Sequence, residues 1–214
     1  MLFYRKHWFD IGLGLAAVGG VLLALFWNNL SLVQIYIALN FLSLLLHNYE
    51  EYGWPGTLPG EMNVGLFKSD IPDRYPFNMT AAVVVNPIGV YTIYLLPIFF
   101  PHVVWLALGP VILGITQLPT HAIVMARKIK KLYSAGVVTS VLFSVFGFLY
   151  INQIYVDGTV TVMDWVCGFL YFAFIAAVIV QGPIHLFKRR DYPYSWSRRQ
   201  LGPWATSVSE VKKL

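Results

Sequence analysis

Three side chains at the end of a long apolar stretch, His47, Glu50 and Glu51, stand at i, i+3 and i+4 in Leu46-His47-Asn48-Tyr49-Glu50-Glu51. On a helix that spacing places all three on one face. Two adjacent carboxylates at a helix C-terminus meet the negative end of the helix dipole, so a compensating positive charge is expected. A divalent metal ion would supply it, accepting neutral imidazole nitrogen and carboxylate oxygen together. Protonation of one carboxylate is the cheaper alternative. The pattern His-x-x-Glu-Glu is close to the His-x-x-Glu-His of inverted zinc hydrolases, with Glu in the last place. On that pattern His47 and Glu51 are metal ligands and Glu50 is a general base. His121 or His185 completes the site and leaves one coordination position open. Asn86 is the remaining polar candidate, as a catalytic group or as a helix–helix hydrogen bond.

The elements that must position these groups follow from where charge is missing. The chain has 214 residues, 57% hydrophobic and only 12% charged, against about 25% charged in a soluble domain. No Asp, Glu, Lys or Arg occurs within residues 11–49, 75–126, 132–156 or 165–187, which together make 139 residues. A membrane span needs about 20 apolar residues. These gaps exclude a soluble fold, a disordered chain and a nucleic-acid binder. The two longest divide at Trp27-Asn28-Asn29 and at Phe100-Pro101-His102, since proline ends the helix before it. The expected fold is therefore an all-α membrane bundle of six spans, at about 11–26, 30–47, 80–99, 103–126, 132–155 and 165–186. The first is short and must borrow flanking residues. It lacks a small-x-small cleavage site, so it reads as a retained helix and not a signal peptide.

Numbering the span ends alternately puts all 15 Lys and Arg on one side. The positive-inside rule makes that side, and both termini, cytoplasmic. The net charge of +5 is then a matter of topology and of attraction to anionic lipid. At 1.5 Å rise per residue, Asn86 and His121 lie about 9 Å and His185 about 4.5 Å from that face, near His47. Four spans thus bring polar groups to one layer, where ionisable residues are functional candidates. His102 falls on the opposite side and His7 precedes the first span. Cys167 reads as a small buried residue, and Asn78-Met79-Thr80 as a sequon silenced by topology. Residues 52–67, rich in Gly and Pro, read as an interfacial or re-entrant segment over the polar layer. The tail 191–214, with Tyr192, Tyr194, Trp196 and Trp204 beside Arg198 and Arg199, reads as an aromatic-basic membrane-surface anchor.

The block from Leu46 to Glu51, extended by Tyr52-Gly53-Trp54-Pro55-Gly56 and Pro59-Gly60-Glu61-Met62-Asn63, resembles the signature of the bacterial HXXEE-motif integral membrane protein family. The resemblance covers about residues 10–190. It implies a small multi-span protein with a further characteristic Asn and His, which by position are Asn86 and His121. It implies a bacterial inner membrane as the location, and it points to an enzyme and names no substrate.

The expected function is a metal-dependent, hydrolase-like membrane enzyme, with zinc favoured over iron as cofactor. The partners expected are the bilayer and a lipid-like small molecule at the cytoplasmic interface, with no nucleic acid. A small-molecule or metal-ion transporter is the alternative. It would place polar groups near the midplane, whereas the outer halves of these spans are almost purely apolar. A metal-free acid–base isomerase, an iron-dependent oxidoreductase, and a sensor or assembly protein complete the alternatives.

Overall fold

The computed structural model of the chain describes residues 2–205. Among the described residues the protein is helical, without strands. Six helices are long and apolar enough to cross a membrane: α1 (Leu2–Leu25), α2 (Leu32–Tyr52), α4 (Met79–Phe99), α5 (Val104–Ile129), α6 (Val137–Val156) and α7 (Val162–Phe187). Two short helices, α3 (58–66) and α8 (Arg198–Leu201), lie at the basic end. The chain is a polytopic membrane helix bundle.

Local chemistry sets the helix ends. Ser31 caps α2 and Thr161 caps α7, each completing a reciprocal capping box with Gln34 and Asp164. Asn78 caps α4 by accepting from Thr80 N and Ala81 N, and its amide donates to Phe187 O. The sequon asparagine is therefore a buried cap joining α4 to α7. Three boundaries depart from expectation. α1 starts at Leu2, taking in Arg5 and Lys6. α2 continues through Glu50 and Glu51 to Tyr52, because both carboxylates find partners outside the helix. α6 starts at Val137 and not near residue 132, because Gly136 takes φ +105° and turns the chain.

α2 is the central helix, packed on α1, α4 and α6, while α5 packs on α6 and α7. Two cores result. Away from the basic end, Ile37, Val104, Ala107, Leu108, Val111, Tyr150 and Ile154 form an apolar cluster. At the basic end a larger, aromatic-rich cluster includes Trp8, Tyr52, Phe77, Phe143 and Trp196.

The segment after α2 does fold back over the polar layer, as the helix α3. It is fixed by Asn63, whose amide donates to Pro72 O and Phe77 O and accepts from Phe77 N, all at 2.9 Å. In the described part of the tail, two of the four aromatics expected at a membrane surface are turned inward. Tyr192 and Trp196 are buried within the protein. Trp196 Nε1 donates to Phe77 O at 2.9 Å, and Gln200 Nε2 donates to Tyr52 O at 3.1 Å. The tail is a strut that holds the α2–α4 connection against the bundle. Residues 206–214 of the expected tail lie outside the described residues.

Candidate metal centre

The last turn of α2 is buried on nearly every side. His47, Asn48, Glu50, Glu51 and Tyr52 are all less than a tenth exposed. His121 reaches the same point from α5, where Pro119 is followed by a wide π-helical turn over Thr120–Met125. Such turns re-aim side chains and are frequent at functional sites. The two imidazole rings meet at 5.0 Å between centroids, nearly perpendicular. Glu51 Oε1 lies 3.3 Å from His47 Nε2 and 3.4 Å from His121 Nε2. Tetrahedral ligands about 2 Å from a zinc ion are themselves about 3.3 Å apart. These three residues form the one group of such side chains, among those described, whose ligand atoms lie close enough to share an ion.

The far nitrogens explain how the rings are held. His47 Nδ1 lies 3.0 Å from Thr139 Oγ1. That hydroxyl donates to Glu50 Oε2 at 2.5 Å, so its oxygen is left to accept from His47 Nδ1–H. His121 Nδ1 lies 3.1 Å from Ser134 Oγ, which donates to Glu61 Oε2 at 2.5 Å. The same bookkeeping puts the proton on His121 Nδ1. Each histidine is therefore the end of a carboxylate–hydroxyl–imidazole relay, and each turns its Nε2 towards Glu51, as a lone pair when the ring is neutral. Outer groups of this kind fix the tautomer and orientation of metal-binding histidines. Gly136 sits between the rings: a Cβ there would come within 2.7 Å of Cε1 of both.

Glu50 is placed differently from the general base expected of it. Beyond Thr139 Oγ1, it accepts from Thr139 N at 2.8 Å, Val138 N at 3.2 Å and Tyr133 Oη at 2.7 Å. It caps the first turn of α6, where a carboxylate is favoured by free N–H groups and the dipole. Partial burial and this carboxylate push the Tyr133 hydroxyl up, so it stays a donor. With both oxygens engaged, Glu50 holds Thr139 against His47, and it is not among the residues that line the cavity.

The other site residues divide. Asn86 is buried in α4 and donates to Tyr52 Oη at 3.3 Å and to Ala82 O at 3.1 Å. It lines the same cavity as the His–Glu–His group without joining it. His185 is exposed on α7 and stands outside the group, which corrects its candidacy as a ligand. Its neighbour Ile184 is the residue that turns inward. Glu61, Ser134, Thr139 and Tyr133 were missed by sequence reasoning. Glu61 is legible only as an acid inside the motif extension, and lone hydroxyl residues in or beside an apolar span carry no signal.

The cavity holds about 350 Å³ and lies between α2, α4, α5 and α7. His47, Glu51 and His121 line its polar side, beside Asn48, whose buried amide has no hydrogen-bond partner in the protein. Leu44, Leu113, Phe143 and Phe172 make much of the rest.

Residues 37–151 match the family described as protein of unknown function with HXXEE motif. The chain belongs to this HXXEE family. The matched region runs from within α2 into α6, so it contains both relays and Glu51, while His185 and the tail fall outside it. No curated protein and no solved structure matches the chain.

Proposed function

We propose that this HXXEE protein is a membrane-embedded metalloenzyme acting on an amphiphilic, lipid-like small molecule at the cytoplasmic interface, with metal-assisted hydrolysis as its reaction. One observation carries the reading. Two imidazole Nε2 atoms and a carboxylate oxygen converge within 4.8 Å, and the relays turn the Nδ1 protons away from that point. With both rings neutral these are three acceptors facing one point inside the protein, which repel each other unless a cation occupies it. His47, Glu51 and His121 would hold the metal, two nitrogens and one oxygen being a set that suits zinc. A bound zinc ion would supply Lewis acidity and an acidified water. Glu50 and Glu61 keep the two rings in register. Asn48 and the Asn86–Tyr52 pair offer uncharged hydrogen-bonding groups to a polar head, and the apolar wall receives its chain.

Glu51 is the only carboxylate among the cavity-lining residues, and that favours one second reading. A ligand set of two histidines and one carboxylate without a separate base suits iron-dependent oxidation. A carrier is less well supported, because the apolar cluster around Leu108 closes the bundle beyond the cavity.

Metal analysis of protein purified in mild detergent tests the proposal. Wild type should carry about one ion per chain, and its identity separates the zinc from the iron reading. Glu51→Gln should carry none and keep its helical content. A wild-type protein free of metal after gentle purification would sink the ligand assignment. Lipid-extract profiling of a deletion strain then identifies the accumulating substrate.

A further inference from the structure

The cavity has its mouth within the membrane-spanning part of the bundle. α5 and α7 pack closely over Val104–Pro119 and Val162–Phe174, and their contact thins towards the basic end. There both helices widen into π-helical turns, Thr120–Met125 on α5 and Ile175–Gln181 on α7. Pro119 directly precedes the first wide turn and Pro183 lies two residues past the second, and neither can donate to the helical ladder. Among the residues lining the cavity, Thr120, Val124 and Gln181 are exposed. All three belong to these two turns.

Depth decides what stands outside this mouth. Val124 lies three residues before Arg127 and Gln181 seven before Lys188, roughly 4–11 Å from the basic face, and Thr120 lies deeper than Val124. Around them α7 presents Val178 and Leu186 outward. A gap between two spans at that depth opens sideways onto lipid. Gln117 and Gln181 line it from opposite helices, and polar side chains at membrane depth are expensive unless they serve a path or a site. The volume of about 350 Å³ is at the small end for ligand cavities, which suits one aliphatic chain and not the two of a phospholipid.

We propose that the gap between α5 and α7 is a lateral portal through which a bilayer amphiphile with a single acyl or isoprenoid chain enters the cavity. The chain lies along Leu44, Leu113 and Phe143, and its oxygen-bearing head lies at Asn48 and the His47–Glu51–His121 group. This rests on the metalloenzyme reading for the chemistry at the head. The route of entry stands on the portal alone.

The test uses the full chain in phosphatidylethanolamine–phosphatidylglycerol vesicles containing a fatty acid with a mid-chain diazirine. After irradiation, label should map to the buried residues Leu44, Leu113 and Phe143 as well as to the lipid-facing Leu170. Val180→Trp and Gln181→Trp, which fill the mouth from α7, should each lose interior labelling while Leu170 labelling and metal content stay at wild-type level. The idea is overturned if wild type labels Leu170 and leaves the interior unlabelled. It is equally overturned if interior labelling survives both variants, which would mean entry from the aqueous side. Interior labelling in a protein that carries no metal keeps the portal and removes the metalloenzyme reading. Metal without interior labelling does the reverse.

Discussion

The two halves of the bundle are built on different physics. In the half away from the basic end, α2, α5 and α6 meet through Ile37, Leu108, Val111 and Ile154, and the buried Tyr150 Oη donates to Val104 O at 3.3 Å. In the half at the basic end the same helices carry His47, Glu50, Glu51, His121 and Thr139, joined by Glu61 and Ser134. Between spans in lipid, apolar contact contributes packing but little hydrophobic drive. The apolar half therefore needs only shape. In the polar half Glu50 and Glu61 take hydroxyl and backbone donors, whereas Glu51 faces the two imidazoles. On the proposed function, that is where the metal ion would sit.

That contrast can be broken or sharpened in order of expected effect. The largest change should come from Gly136→Ala. Its Cβ would press on both imidazole rings at a backbone angle that favours glycine, so the ligands lose their common point. Metal content should fall to background while the apolar half persists by circular dichroism. Next come the relays. Thr139→Val and Ser134→Ala each remove a hydroxyl between carboxylate and histidine, and each should weaken metal binding by about 10–100-fold in chelator competition. Equal affinity in both variants and wild type would make the relays mere packing.

Leu108→Ala inverts the test. In a soluble core such a truncation costs about 2–5 kcal/mol, but leucine gains little by leaving lipid, so only the packing part of that cost remains. Stability in detergent should drop while metal affinity is unchanged. The smallest effect belongs to the surface. The Arg190 guanidinium donates to Asp70 at 2.5 Å and holds its carboxyl below the usual range. A lowered carboxyl pKa stabilises above the ordinary value, and the contribution is lost as pH falls through the lowered one. Arg190→Ala should therefore be slightly less stable than wild type at neutral pH, a difference that closes as pH falls and that salt erases because both groups are exposed.

The readable part of the site was the part carried by one helix. His47 and Glu51 share a face because of their spacing, and no fold is needed to see it. Glu50 shares the face too, yet its spacing did not show that it would meet α6. Whether a carboxylate at i+3 faces the cavity or caps α6 depends on where the N–H groups of Val138 and Thr139 arrive. The choice between His121 and His185 was equally open, since both lie at comparable depth in different spans. Only the π-helical turn after Pro119 swings His121 inward.

What the sequence determined by itself was the medium and the count: charge-free stretches long enough for six spans, basic residues gathered at one end, and a His-x-x-Glu-Glu face closing α2. What only the tertiary structure decided was the pairing. Glu61 reaches Ser134 across 73 positions, and Tyr133 reaches Glu50 across 83. The physical reason lies in how each is encoded. Hydropathy and spacing act within a helix and are written locally. The rotation of one helix against another is fixed by the sum of many weak packing contacts, and that rotation selects which histidine, which hydroxyl and which oxygen of a carboxylate meet.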